Sequence, residues 1–335
     1  MRPYVVTLGT AGGPRWWRAQ DASVRAGIAT AVVVGDAAYL VDCGHGVGTQ
    51  LTRAGLPLRS LRAVFLTHLH SDHTIDLAAL VLFGLMSLDV PERGPVRLLG
   101  PGDRGMLPPF SPRAESAPAV LFAQDPTPGT RAMFDSLMRA YATDLADRML
   151  DSLRPSPYRF VLPQDIRIPA DVGFHPNDNP SPAGMAPFEV YRDESVRVTA
   201  TLVEHSPVAP AFAFRFDTAS GSVTISGDTA PCDNLVRLAA NTDLLLHEAL
   251  DFDWARHGYP GIDPSTAAAI IDHHRKAHSS PEQAGLIATK AGARSLVLHH
   301  LVPGKSDETV WQAAKQTFTG PLHVPDDLAV IPFGS

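Results

Sequence analysis

The stretch FLTHLHSDHT, residues 65–74, sets His68, His70, Asp72 and His73 within six positions, directly after an apolar run at 63–66. In extended backbone His68 and His70, two apart, project to the same side. Asp72 and His73 follow from the next turn. Imidazole and carboxylate groups are good ligands for zinc and its neighbours. One tetrahedral ion cannot readily use all four groups and keep a position open, whereas two ions can share them. Further ligands would then come from other strand ends. Candidates are His205 in VEHSPV, Asp228 in SGDT, and His299 or His300 in LVLHHLVPG. Each closes an apolar β-like run, where a loop can carry it to a common site. Taken singly these are ordinary features: a lone histidine is usually structural, and SGDT is a common turn. Two ions about 3.5–4 Å apart would hold a hydroxide near neutral pH and polarise an electrophilic oxygen. Asp72 would orient the nucleophile or accept its proton.

To bring these groups together the chain needs strands that end at one edge. YVVTLGT, ATAVVVGD, AAYLVDCG and RAVFLTH carry β-branched or aromatic residues bounded by Gly or Asp. TIDLAALVLFGLM (74–86) reads as a mostly apolar helix, and PVRLLGP (95–101) as another strand. Composition then shifts: residues 101–190 hold 15 of the 30 prolines. Within them Met133, Leu137, Met138, Tyr141, Leu145 and Met149 recur near helical spacing. This stretch has too few strong apolar segments for its own core, so it predicts an insertion into one domain spanning 1–335. Strands resume with SVRVTATLVEHSP, AFAFRFDT and SVTISGDT, then DLLLHEA, SLVLHHLVPG and LAVIP. Helices are predicted near 231–240, 281–292 and 307–318. Two groups of strands, each followed by helices, predict two sheets packed between helical layers.

With 44% hydrophobic and 19% charged residues, the chain reads as soluble and globular. A net charge of -7 suggests no general attraction to nucleic acid or acidic membranes. Two cysteines, Cys43 and Cys232, make a disulfide framework improbable and favour a reducing compartment. The N-terminal MRPYVVTLGTAGGP lacks the apolar core of a signal peptide, and no run of eighteen apolar residues occurs. These features predict a cytoplasmic location and no membrane partner.

The order HxHxDH, His, GDT, HEA, HSS and a strand ending in His resembles the metallo-β-lactamase fold superfamily. More narrowly it resembles the ribonuclease Z and arylsulfatase-like branch, as do TLGTAGGP and YLVDCGHG. The resemblance implies an α/β fold, the αββα four-layer sandwich, carrying a Pro-rich, partly helical insertion at about 101–190. It implies two Zn2+ per chain, with Mn2+ or Fe as alternatives: one held by His68, His70 and His205, the other by Asp72, His73 and His300, with Asp228 bridging. It selects His300 over His299 because the family's LTHF aligns with LHHL. Asp42 in VDCG matches a supporting aspartate. His278 matches a proton donor, and Glu248 the group that orients it. In IIDHHRKAH, by contrast, Asp272, His273 and His274 read at helical spacing as an exposed face. Trp16, Trp17 and Arg18 follow the Gly-rich turn near the family's active-site edge, and either line a substrate pocket or form a packed loop or dimer contact. Homodimerisation is expected by analogy alone.

The branch contains tRNA 3′-processing endonucleases, which grip tRNA with a basic arm between the ligands matching His205 and Asp228. Here that gap is 23 residues with no room for an arm. The 101–190 segment carries 8 Arg and no Lys against 11 acidic residues, so it is not basic either. The resulting expectation is a dizinc hydrolase of a small-molecule ester (sulfate ester, phosphodiester or lactone) with no nucleic-acid partner. The alternatives are a tRNA 3′-processing endonuclease and a non-catalytic metal-binding protein on the same fold.

Overall fold

The computed structural model describes residues 2–18, 24–257 and 261–335. The first six strands are β1 (Tyr4–Gly9), β2 (Ala29–Val34), β3 (Ala37–Val41), β4 (Leu61–Phe65), β5 (Val96–Pro101) and β6 (Val161–Ile166). The next seven are β7 (Phe188–Arg192), β8 (Arg197–Leu202), β9 (Phe212–Asp217), β10 (Ser222–Ile225), β11 (Leu244–Leu250), β12 (Ser295–Val302) and β13 (Leu322–His323). The chain closes with β14 (Ala329–Pro332). One seven-stranded sheet runs β14-β1-β2-β3-β4-β5-β6, and the other β13-β12-β11-β10-β9-β8-β7. The first half of the chain thus builds one sheet, the second half builds the other, and β14 returns to pair with β1.

Side-chain alternation explains why the sheets face each other. On β4, Ala63 and Phe65 enter the core between the sheets, while Val64 faces the outer helices. On β9, Phe212, Phe214 and Phe216 enter the same central core, and Ala213 faces outward to a third apolar cluster under the helices Asp233–Leu238 and Pro281–Ala291. Three apolar interfaces stacked in this way make the α/β four-layer sandwich expected from the strand and helix order.

Three helical expectations change in detail, the one near 307–318 resolving into an α turn Glu308–Trp311 and a 3-10 turn Gln312–Gln316. The segment expected as one helix at 74–86 is a chain of short turns, Ser71–Thr74, Leu77–Ala79, a π turn Leu80–Gly84 and a 3-10 turn Leu85–Ser87. In the proline-rich stretch the helical spacing resolves into two helices, Thr130–Ala140 and Ala142–Leu150, that meet at Tyr141. Phe134, Met138 and Leu145 bury against the first sheet's outer face, whereas Tyr141 and Met149 stay exposed. No helix among the described residues is long and apolar enough to cross a membrane.

β3 and β4 are parallel, as are β10, β11 and β12. Antiparallel pairs β1–β2–β3 and β8–β9–β10 bring β1 and β8 into the same sense. The C-terminal ends of β1, β3, β4, β8, β10, β11 and β12 therefore open on one edge of the sandwich. That edge is where the candidate ligands lie.

Candidate metal centre and active site

β4 ends at Phe65, the chain bends at Thr67, and His68 beyond it is fully buried. Asp42, at the end of β3, organises this loop. Its Oδ1 accepts from the Thr67 amide at 2.8 Å, and its Oδ2 lies 2.8 Å from His73 Nδ1. Asp42 adopts φ 63°, a left-handed conformation that aspartate tolerates better than most residues. With Nδ1 committed to Asp42, His73 turns Nε2 into the site. His205 is fixed in the same manner, its Nδ1 lying 2.9 Å from the Ala277 carbonyl oxygen.

The remaining nitrogens converge. His70 Nδ1 lies 3.0 Å from His68 Nε2 and 3.3 Å from His205 Nε2. His73 Nε2 lies 3.2 Å from His300 Nε2, and His300 Nε2 lies 3.4 Å from Asp72 Oδ2. Between these two groups sits Asp228, whose Oδ1 is 3.4 Å from His73 Nε2 and whose Oδ2 is 3.3 Å from His300 Nε2 and 3.9 Å from His68 Nε2. Two triads, His68–His70–His205 and Asp72–His73–His300, thus bring their ligand atoms within 4.8 Å of one another, with Asp228 reaching towards both.

Metal ions fit these residues on physical grounds. Imidazole nitrogens whose partner nitrogens already donate present lone pairs, and lone pairs facing each other across about 3 Å need a shared cation. Asp228 Oδ1 is buried and accepts no hydrogen bond from the described residues, an arrangement that is costly for a carboxylate without a counter-charge. Burial holds His68, His70 and His205 below the ordinary histidine range, which keeps them neutral as ligands must be. Burial alone would also depress His73, but the charges of Asp228, Asp42 and Asp72 outweigh it and raise it. Five imidazoles with two carboxylates form a nitrogen-rich donor set suited to zinc and tolerated by manganese or iron.

His300 occupies a bulge. Glu248 pairs with His299 and Ala249 with Leu301, so His300 is the extra residue between them, at φ 47°. The bulge turns His300 into the site and leaves His299 pointing between the sheets, 3.4 Å from Thr30 Oγ1. Burial pushes His299 down to about 3.

Beside the triads, His278 Nδ1 lies 3.0 Å from both Glu248 carboxylate oxygens, and Glu248 Oε1 also accepts from the Thr229 amide at 2.7 Å. Glu248 is fully buried, and burial raises its carboxyl against the opposing pull of His278. For His278, burial would lower the imidazole, but the charge and hydrogen bond of Glu248 prevail and push it up to about 9. Its Nε2 is left for the cavity.

That cavity, about 340 Å³, is lined by Asp72, Asp228, His70, His278 and His300 on its floor. Its walls depart from the sequence reading. Trp17 lines it, nearly buried and donating from Nε1 to the Gly12 carbonyl at 2.7 Å. Trp16 does not: it is 76% exposed, edge-on to His45. Arg18 is exposed and does not line the cavity. The helix Pro264–Ala277 also requires a correction. Asp272 is exposed and pairs with Arg113 at 2.7 Å, but His273 and His274 are half-buried and line the cavity. Helical spacing could show that they share a face, not that this face docks against the site. Arg15 and Trp254 are wall residues that sequence reading missed. Their only signal was proximity to the Gly-rich turn and to the HEA strand. Gly13 contributes as well, its amide donating to Asp72 Oδ2 at 2.9 Å. Gly12 passes so close to His300 that a Cβ would lie 2.3 Å from the ring nitrogen, so this loop needs glycine to reach the site.

Residues 24–83 match the metallo-beta-lactamase superfamily model, and 140–301 match a beta-lactamase superfamily domain. A ribonuclease Z from Mycobacterium bovis (strain BCG / Pasteur 1173P2) is 30% identical over 307 residues, covering 91% of both chains. Among solved structures, the short form of human tRNase Z superposes with TM-score 0.62 at 20% identity, over 99% of this chain and 100% of that one. The metallo-beta-lactamase fold protein YhfI from Bacillus subtilis gives 0.60 at 20%, over 98% and 99%. On a sandwich that carries its ligands at the shared edge of both sheets, and with 30% identity across nine-tenths of a curated relative, the chain belongs to the ribonuclease Z family of the metallo-β-lactamase superfamily and is a metal-dependent hydrolase.

Proposed function

We propose that this protein is a dinuclear, zinc-dependent endoribonuclease that hydrolyses a phosphodiester bond in the 3′ region of precursor tRNA. This replaces the expectation of a small-molecule ester substrate without a nucleic-acid partner. The finding that overturns it is the 30% identity to proteins named ribonuclease Z, sustained over 91% of each chain. The sequence argument had relied on net charge and a missing arm. Only the β9–β10 hairpin occupies the 205–228 gap. A missing appendage removes one way of gripping RNA, not the phosphodiester chemistry. Net charge sums over the whole surface, while backbone contacts are local.

The observation that carries the reading is the paired triads with Asp228 between them, in a chain this similar to ribonucleases Z. His68, His70 and His205 would hold one ion; Asp72, His73 and His300 would hold the other; Asp228 would bridge. When bound, two such ions supply positive charge for the phosphate oxygens and lower the pKa of the attacking water. Asp72 orients that water, itself held by the Gly13 amide. Water gives OH to phosphorus and its remaining proton to the Asp72 carboxylate, the P–O bond to the leaving fragment breaks, and the departing oxygen takes a proton. His278 Nε2 donates it, with Glu248 holding the imidazole in the required tautomer and supporting its charge. The 101–190 segment is read as an insertion into a single domain.

The test uses protein reconstituted with zinc, metal analysis, and a precursor tRNA bearing a 3′ trailer. The expected result is about two ions per chain and one discrete cleavage near the end of the acceptor stem. Protein that binds metal but leaves precursor tRNA intact sinks the reading.

A further inference from the structure

A second cavity, about 370 Å³, lies beside the one described and shares a single lining residue with it, His70. The two differ in chemistry. The first has aromatic and cationic walls. Trp17 and Trp254 meet edge to face at 5.5 Å, and the Arg15 guanidinium lies 5.7 and 5.9 Å from the two rings. His273 and His274 line it as well. The second cavity is walled by prolines, including Pro108, Pro128 and Pro207, with Leu107. Arg104 ties its two sides together, donating to the carbonyls of Pro207 at 2.6 Å and Ala209 at 3.2 Å. Apart from His70, no aromatic side chain lines it among the described residues.

His278 borders the first cavity and not the second. A proton donor must come within about 3 Å of the leaving oxygen. The fragment that departs with that proton therefore lies on the side of the Trp-walled cavity. Aromatic rings with an arginine stack nucleobases irrespective of their identity. Proline walls offer no such platform.

We propose that the Trp17–Trp254 cavity holds the nucleotide on the leaving side of the scissile bond, its base against Trp254, while the phosphate-retaining strand runs past His70 into the proline-walled cleft. The site thereby recognises one base on one side of the cut and only the backbone on the other. This rests on the ribonuclease reading above and assigns its substrate a polarity.

The experiment uses the zinc-loaded protein and three precursor tRNAs: one intact, one with an abasic ribose on the leaving side of the cut, and one abasic on the phosphate-retaining side. Leaving-side base removal should lower kcat/KM roughly 10- to 100-fold, chiefly through KM, the loss typical of one stacked base. Removal on the other side should change it less than about 3-fold. Trp254→Ala should cost the same factor on the intact RNA and nothing further on the leaving-side abasic RNA. Trp254→Phe should restore most of the loss, with metal content unchanged in both variants. Equal sensitivity to the two abasic positions, or a Trp254→Ala loss that adds to the leaving-side loss, overturns the polarity while leaving the ribonuclease reading intact. Failure to cleave any of the three RNAs removes both.

Discussion

The floor of the site and its rim contrast in how they are held. On the floor, His68, His205 and Asp228 are buried just beyond strands, His300 in the β12 bulge and His73 in the turn Ser71–Thr74, and His73 and His205 each have their second nitrogen held by a buried acceptor. On the rim, Arg15 and Trp17 come from a glycine-bounded loop, and Trp254, His273 and His274 from two helices outside the sandwich, Phe252–His257 and Pro264–Ala277. The floor inherits its geometry from strand register, which the whole core enforces. The rim depends on how peripheral segments dock. Changes to the floor should therefore alter metal binding and the chemical step, and changes to the rim should alter which substrate is used.

The widest separation between the two regions should come from Asp228. Asp228→Ala should lose both ions, because the carboxylate faces both triads, and activity should fall to background. His205→Ala should lose chiefly one. Metal analysis after zinc reconstitution checks this, and equal losses in the two variants would remove the bridging role.

Next in size is His278, which lies where floor and rim meet. His278→Ala should keep both ions and slow hydrolysis about 10²–10⁴-fold, the usual cost of losing a general acid. The deficit should shrink on a nitrophenyl phosphodiester probe, whose leaving group departs without a proton. An identical deficit on both substrates would make His278 a binding residue. Glu248→Gln should follow the same trend more weakly.

Asp42 tests whether the floor's order is transmitted through His73. Asp42→Asn keeps a side chain that tolerates the left-handed backbone but removes the charge facing His73. Zinc affinity at the Asp72–His73–His300 position should weaken about 10- to 100-fold, while the other position keeps its ion. Zinc titration with a competing chelator would show two classes of site where the unaltered protein shows tighter binding at both.

The smallest contrast lies within the rim, between two adjacent tryptophans. Trp17→Ala removes a nearly buried ring and a hydrogen bond to Gly12, and should cost about 3 kcal/mol in thermal or denaturant unfolding. Trp16→Ala removes an exposed ring and should stay within about 0.5 kcal/mol. Comparable destabilisation by both would mean that the loop packs differently from its arrangement here.

The sequence by itself determined the floor's residue types, their order and the strands that carry them. Those are local properties. Alternation of period two marks which residues of β4 and β9 enter the central core, and a polar residue closing such a run stands at a strand end whatever the rest of the chain does. Tertiary structure decided the remainder. His299 and His300 both close the same apolar run, and although motif alignment singles out His300, the physical reason lies in the bulge opposite Glu248, which turns it to the site and leaves His299 towards Thr30. His273 and His274 lie on a helix whose facing is set by what it docks against. Trp16 and Trp17 are neighbours with opposite fates because the turn after Gly13 rotates one inward. Net charge pointed away from the proposed partner for the same reason: composition is a sum over the surface, while recognition depends on which few groups the fold places beside the metal ligands.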